Sequence, residues 1–188
     1  MIVSVAVPFL IARGDGDPIR FHSDRALHAE STIGSAIVLA RIASDDPYPV
    51  VIEDNARAVA DTGRMPARIA LGVMGVSLLV LWIRSDPASP AAWVAVLLAI
   101  PALGPLASPQ FLLWPLGLVA LGSRRALIAF VGAAVLSGAM FSGPLEPSEG
   151  TALAILTGAR NVALLAAFVL ATVAALHRSR PSPADLRP

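Results

Sequence analysis

The 188-residue chain has no cysteine and no lysine, a single tyrosine, and only 14% charged residues. Without cysteine there is neither a disulfide framework nor a thiolate metal site. All fourteen basic residues are arginine. With thirteen acidic residues the net charge is +1, so the basic footprint of a nucleic-acid-binding protein is missing. What fills the chain is apolar: 56% of it is hydrophobic and its mean hydropathy is +0.73. The stretch from Ala91 to Ser123 contains no charged residue. A run of that length reads as membrane-embedded helix.

The hydropathy pattern predicts an all-α, polytopic helical membrane protein with about five complete spans, one truncated N-terminal span and an extracytoplasmic polar segment. Residues 1–12, MIVSVAVPFLIA, would rise about 18 Å as helix against about 30 Å of hydrocarbon, the back end of a crossing. They lack the positive flank of a secretory signal. Residues 13–68 hold seven Arg and nine Asp or Glu and form the polar segment. Within it, Ser23 is placed to cap a helix from Asp24 to Ile42. Tyr48 to Glu53 is a short β-like run, and residues 54–65 read as loop or surface helix. Residues 69–177 form the bundle. Its spans are expected at 69–83 (opened by Pro66), 91–106, 109–122, 126–142 and 160–177. A mid-bilayer charge costs at least about 2.5 kcal/mol on insertion scales, which argues for starting the last span at Arg160 and leaving 151–159 interfacial. Residues 178–188 form a polar, proline-rich, disordered cytoplasmic tail. Arg84, Arg124, Arg125, Arg178 and Arg180 would then share the cytoplasmic side. The 13–68 segment would face out.

The polar segment concentrates ionisable groups in one place, RFHSDRALHAES at 20–31. On a helix, Arg25, His28, Ser31 and Ser35 would share a face. Arg binds phosphate bidentately, and His can donate to phosphate or move a proton. The same stripe also suits a helix resting on lipid headgroups. Ser108-Pro109-Gln110 interrupts a hydrophobic run, either lining a cavity or as a plain inter-span loop. Arg160-Asn161 is either a phosphate clamp or a helix-end Arg snorkelling to headgroups. Asp15-Gly16-Asp17 has the form of an Asp-x-Asp metal motif, though acids around a Gly before Pro are ordinary turn sequence. Glu146 and Glu149 read as solvated loop charges.

Two of these stretches together resemble a family. FHSDRALHAESTIGS is similar to a pattern of aromatic-His-x-x-Arg-x-x-Gln-x-Glu-Ser in actinobacterial polyprenyl-phosphate-mannose-dependent mannosyltransferases. These are GT-C-type enzymes of glycosyltransferase family 87. Phe21, His22, Arg25, Glu30 and Ser31 fall in register, while His28 stands at the Gln position and Ala26 where Pro or Gly is usual. LASPQFLLWPLGLVAL resembles that family's Ser-Pro-Gln-aromatic-Leu-x-Trp segment, and Arg160-Asn161 echoes a third. Order and spacing resemble the C-terminal half of such an enzyme. The resemblance implies transfer of mannose or a related sugar from a polyprenyl-phosphate donor to a lipid-linked glycan or glycolipid, on the extracytoplasmic face of the cell membrane. It implies substrate contacts at His22, Arg25, His28, Glu30, Gln110 and Arg160. Arg25 and Arg160 would neutralise the leaving phosphate, one His would bond to it, Glu30 would hold a sugar hydroxyl or the Arg, and Gln110 would line the donor groove. No metal or other cofactor is called for, because Arg and His can stabilise the leaving group. The catalytic acid would lie in the family's other half, so this chain is expected to be inactive alone. The competing expectation is a non-enzymatic membrane protein, a transporter fragment or an assembly partner.

Overall fold

The computed structural model describes residues 26–45, 49–53, 56–106, 109–142 and 150–178. The expected N-terminal span and the C-terminal tail lie outside these residues, as do Asp15, Asp17, His22, Arg25, Ser108, Glu146 and Glu149. The described chain is mostly helical, with one small hairpin. In chain order it forms α1 (Thr32–Ile42), β1 (Val50–Glu53), β2 (Ala56–Val59), α2 (Met65–Arg84), α3 (Pro90–Leu103), a 3-10 turn (Pro109–Leu112), α4 (Leu113–Val119), α5 (Arg124–Ser142) and α6 (Gly150–Arg178).

The polar segment departs from the expected single helix. Helix α1 starts at Thr32, capped by Ser31, whose Oγ accepts from Gly34 N at 3.0 Å. Residues 26–31 are extended or turn instead, because β2 takes up their backbone. Ala29 N donates to Arg57 O at 2.8 Å and Val59 N to Leu27 O at 2.9 Å, so 27–29 runs beside β2 as an isolated bridge, His28 opposite Ala58. Ser31 Oγ also donates to His28 O at 2.8 Å. Gly34 sits so tightly on that turn that a Cβ there would lie 1.9 Å from the His28 carbonyl oxygen.

β1 lies within the β-like run expected at 48–53. Its partner β2 stands where a loop or surface helix was expected, and the two pair antiparallel, Val50 with Val59 through Glu53 with Ala56. At its base Arg41 Nη1 donates to Ala60 O at 2.8 Å, tying the end of α1 to the sheet.

Two helices are long and apolar enough to cross a membrane, α2 and the Gly150–His177 stretch of α6. Twenty residues of α2 span about 30 Å. Pro66 lies in its first turn as expected, although the helix begins earlier, at Met65. Large apolar side chains on α2 lie exposed along much of its length, Met65, Ile69, Val73, Val76, Val80 and Ile83 among them. An apolar surface of that extent marks contact with lipid or with another protein. Helix α3 begins at Pro90 and carries Pro101 inside it. The span expected at 109–122 is instead a 3-10 turn followed by the seven-residue α4. Pro115 and its neighbours keep that segment too short to cross a bilayer.

The bundle centre lies where α3 and α5 pack on α6. Leu98, Phe130, Leu164 and Phe168 fill it, interleaved with Ala95, Ala99, Ala133, Ala167 and Ala171. Small residues at helix contacts let backbones approach closely, which suits helices that gain little from expelling water. A second, smaller cluster of Leu27, Ala29, Val38, Val59, Ala67 and Ala154 lies beneath the polar segment. It seats that segment on the upper half of α6.

Candidate functional site

Helix α6 runs unbroken from Gly150, so Arg160 lies about 15 Å along it and not at a helix start. The cost of placing a charge there is offset by partners from a distant part of the chain. Arg160 is 1% exposed and Asn161 2%. Arg160 Nε and Nη2 donate to Asn161 Oδ1 at 3.1 and 3.0 Å. Arg160 Nη2 also donates to the backbone carbonyl of Glu30. Asn161 Nδ2 donates to that same carbonyl at 3.0 Å and to Ser35 Oγ at 2.8 Å. Ser35 Oγ in turn donates to Thr32 O at 3.1 Å. Buried charges persist in membrane helices when they face the protein interior and are paired in this way.

The opening stretch also reaches α3. Thr32 Oγ1 donates to Ala102 O at 2.6 Å. Ala102 lies in the last turn of α3, where helix carbonyls have no intrahelical donor. His28 N donates to Pro105 O at 3.3 Å. The end of α3 and Pro105 just after it are thereby bonded to the turn that Arg160 and Asn161 hold. Two stretches singled out separately in the sequence, 20–31 and Arg160-Asn161, therefore meet around residues 28–32. Gln110 is in the 3-10 turn; the donor-groove contact expected of its side chain lies outside what the described residues define. His28 forms an isolated bridge with Ala58 and does not share a helical face with Ser31 and Ser35.

Glu30 is the hinge of the arrangement. Its carbonyl receives Arg160 and Asn161, while its carboxylate faces Arg57 on β2, with Arg57 Nη1 3.9 Å from Glu30 Oε1. Burial raises the Glu30 carboxyl above the usual carboxylate range, and the charges of Arg160 and Arg57 oppose that rise without cancelling it. Arg57, with 27% of its side chain exposed against 15% for Glu30, is the part of the network that meets solvent. Between Glu30, Arg57, Ser35 and Thr157 lies a space of about 10 Å³, room for one water. A phosphate or a sugar ring does not fit there, so a ligand of this network meets it from the outer, Arg57 side.

Sequence reasoning passed over Arg57 and Thr157. The signal that could have found Arg57 is the two-residue gap at 54–55 between VVIE and ARAV, a hairpin spacing that returns Arg57 to the first strand's neighbourhood. Among the described residues no three His, Asp or Glu side chains converge as a metal site would require.

No protein-family model matches the chain, and no curated protein or solved structure shows significant similarity to it.

Proposed function

We propose that the chain is a multi-pass cell-membrane protein whose extracytoplasmic polar face forms part of the donor wall of a polyprenyl-phosphate-sugar transferase. The observation that carries this reading is the meeting of residues 28–32 with the Arg160-Asn161 pair, beside Ala102 and Pro105 at the end of α3. Two stretches that separately resemble the mannosyltransferase pattern, 130 residues apart in the chain, have no local reason to meet. A shared site gives them one.

On this reading α2, α3, α5 and α6 cross the bilayer and α4 with the 3-10 turn lines a re-entrant position. α5 has 19 residues and α3 only 14 with a proline in it, so α3 crosses with the extended Gly104-Pro105 stretch as its continuation. The apolar faces of α2 and α6 meet lipid. Together with the N-terminal apolar residues this gives the multi-pass topology.

The roles divide differently from the pattern's implication. Arg160, satisfied by a carbonyl and by Asn161, positions the Glu30 turn. Arg57 is the cation placed to meet the phosphate of the donor, a bidentate partner for it. Glu30, held between Arg57 and Arg160, fixes Arg57 and can accept from a sugar hydroxyl. His22, Arg25 and Gln110 complete the wall from the adjoining stretches. The resemblance places the catalytic acid elsewhere in the family's length, so the chain holds donor and does not turn it over by itself. The acceptor is a lipid-linked glycan or glycolipid that shares the membrane face.

The test uses the chain purified in lipid nanodiscs with labelled polyprenyl-phosphate mannose. Saturable retention of the donor, above that of the polyprenol without its phosphate-sugar head, and no transfer to glycolipid, is the expected result. Equal retention of both lipids would remove the donor-wall reading. Robust transfer by the chain alone would remove the division of labour.

A second reading is favoured by the completeness of Arg160's hydrogen bonding. The junction can serve as a staple that fixes the polar segment on the bundle of a non-enzymatic membrane protein, such as a transporter fragment or assembly partner. The same retention measurement separates the two, because a staple has no preference for the phosphate-sugar head.

A further inference from the structure

A second polar feature lies on the same hairpin, away from the Arg160 junction. Between the hairpin and the turn that enters α2 is a cavity of about 320 Å³. Ala26 and Val59 form apolar wall, and Glu53, Asp61, Thr62 and Arg64 supply charge and hydroxyl. Two negative charges and one positive charge therefore line one small space. Its lining runs up to Arg64, the residue just before α2.

Below that point Met65, Ile69, Val73, Val76, Val80 and Ile83 are exposed and spaced by three or four residues. They make one continuous stripe down the helix. From Met65 to Ile83 it runs about 27 Å, close to the hydrocarbon thickness of a bilayer. A lipid whose chains lie on this stripe has its phosphate and headgroup at the level of Arg64 and the cavity.

We propose that this cavity is a headgroup site for an aminophospholipid, with the lipid chains lying on the exposed stripe of α2. Charge complementarity selects the headgroup. Arg64 pairs with the phosphate diester, as arginine does with phosphate oxygens. Glu53 and Asp61 accept from a primary ammonium, which carries three donors, and the Thr62 hydroxyl adds one more acceptor. A headgroup of the same charge pattern whose nitrogen is fully methylated keeps its positive charge and loses those donors. A headgroup ending in hydroxyls keeps donors and loses the charge. This inference rests on the reading that α2 crosses a bilayer, but not on the transferase reading.

The experiment reconstitutes the full chain into nanodiscs made from equal parts of phosphatidylethanolamine, phosphatidylcholine, phosphatidylglycerol and a monoglycosyl diacylglycerol. After transfer to mild detergent, lipids remaining bound are quantified by mass spectrometry. Phosphatidylethanolamine should be retained at least about fivefold over phosphatidylcholine, a difference of about 1 kcal/mol. The double variant Glu53→Gln, Asp61→Asn should abolish that preference. Both side chains are exposed, and Asp61 has φ +53°, a conformation Asn adopts as readily, so the turn persists. Unchanged helix content by circular dichroism confirms it. No preference among the lipids, preference that survives the double variant, or stronger retention of the glycosyl lipid would each overturn the proposal. Failure of the chain to enter nanodiscs would overturn the membrane reading beneath it, and is read separately as recovery of lipid-free protein.

Discussion

The bundle centre and the polar junction are both buried, yet they are held by opposite means. Around Phe130 the contacts are apolar and generic, with alanines letting α3, α5 and α6 close on one another. Around Glu30 a single backbone carbonyl is the meeting point of Arg160 and Asn161, and a glycine is required at position 34. The first kind of packing tolerates exchange of one apolar side chain for another of like volume. The second fixes particular atoms, and a partly satisfied buried network costs more than none. A chain that only needed to bury helices would have no use for the second kind. Its presence at one end of the bundle is what the proposed donor wall builds on.

The largest expected effect breaks the generic side of this comparison. Phe130→Ala removes a fully buried ring and should destabilise by about 3–5 kcal/mol, read as lower thermal stability in detergent. Amide exchange at Gly34 and Ser35 should rise with the rest of the molecule, since the whole bundle loosens.

Next comes a pair of glycines that differ in what lies above them. Gly34→Ala drives a Cβ against a backbone oxygen that cannot move aside and should cost about 3 kcal/mol or more, with exchange rising at the polar segment first. At Gly158 the obstacle is the tip of Leu39, 2.6 Å away, a side chain that can turn. Gly158→Ala should therefore cost no more than about 1 kcal/mol, part of it returned because Ala suits helix better than Gly. Equal losses at the two positions would contradict the close fit described for the 28–34 turn.

The pH dependence sharpens the electrostatic side. The Glu30 carboxyl binds its proton more tightly folded than unfolded. Between the unfolded and folded values the native state holds more proton, so stability from this group falls as pH rises through that interval. It is greatest below the unfolded value. Glu30→Gln should flatten this fall and be close to neutral in stability at pH 7, within about 1 kcal/mol. Thermal unfolding across mildly acidic to neutral pH measures both. A variant more pH-sensitive than the parent would reverse the sign.

The smallest effect is on the lipid-facing surface. Val76→Leu exchanges one exposed apolar side chain for another on α2 and should change stability by less than about 0.5 kcal/mol.

Much of the helical layout was legible because apolar runs and prolines announce themselves. Ile69 to Ile83 lies within α2, 91–106 overlaps α3, and 126–142 lies within α5. The helix expected from Asp24 to Ile42 begins only at Thr32, capped by Ser31, because β2 takes up residues 27–29; Ser23 lies outside the described residues. β2 itself was hidden by its composition, since Ala and Arg have low strand preference. The hairpin pairing and the seating on α1 outweigh it. Arg160 was misread for a physical reason: from sequence the alternative to lipid was water, so the span was made to begin there. Its actual partner, the Glu30 carbonyl, is 130 residues earlier, and nothing local specifies it. Of the expected contacts, Glu30 and Arg160 do meet, His28 lies in the same turn as Glu30 without sharing a helical face with Ser31 and Ser35, and Arg57 was supplied by the fold alone.

The most direct test of the donor-wall account is the affinity of the nanodisc-embedded chain for a polyprenyl phosphate, compared across wild type, Arg57→Lys and Arg57→Ala. Arg57 is partly exposed, so truncation there should leave stability within about 1 kcal/mol. The account predicts at least about a tenfold loss of affinity for Arg57→Ala, about 1.4 kcal/mol, with Arg57→Lys intermediate because a point charge replaces the bidentate fork. Equal affinity in all three proteins would contradict it.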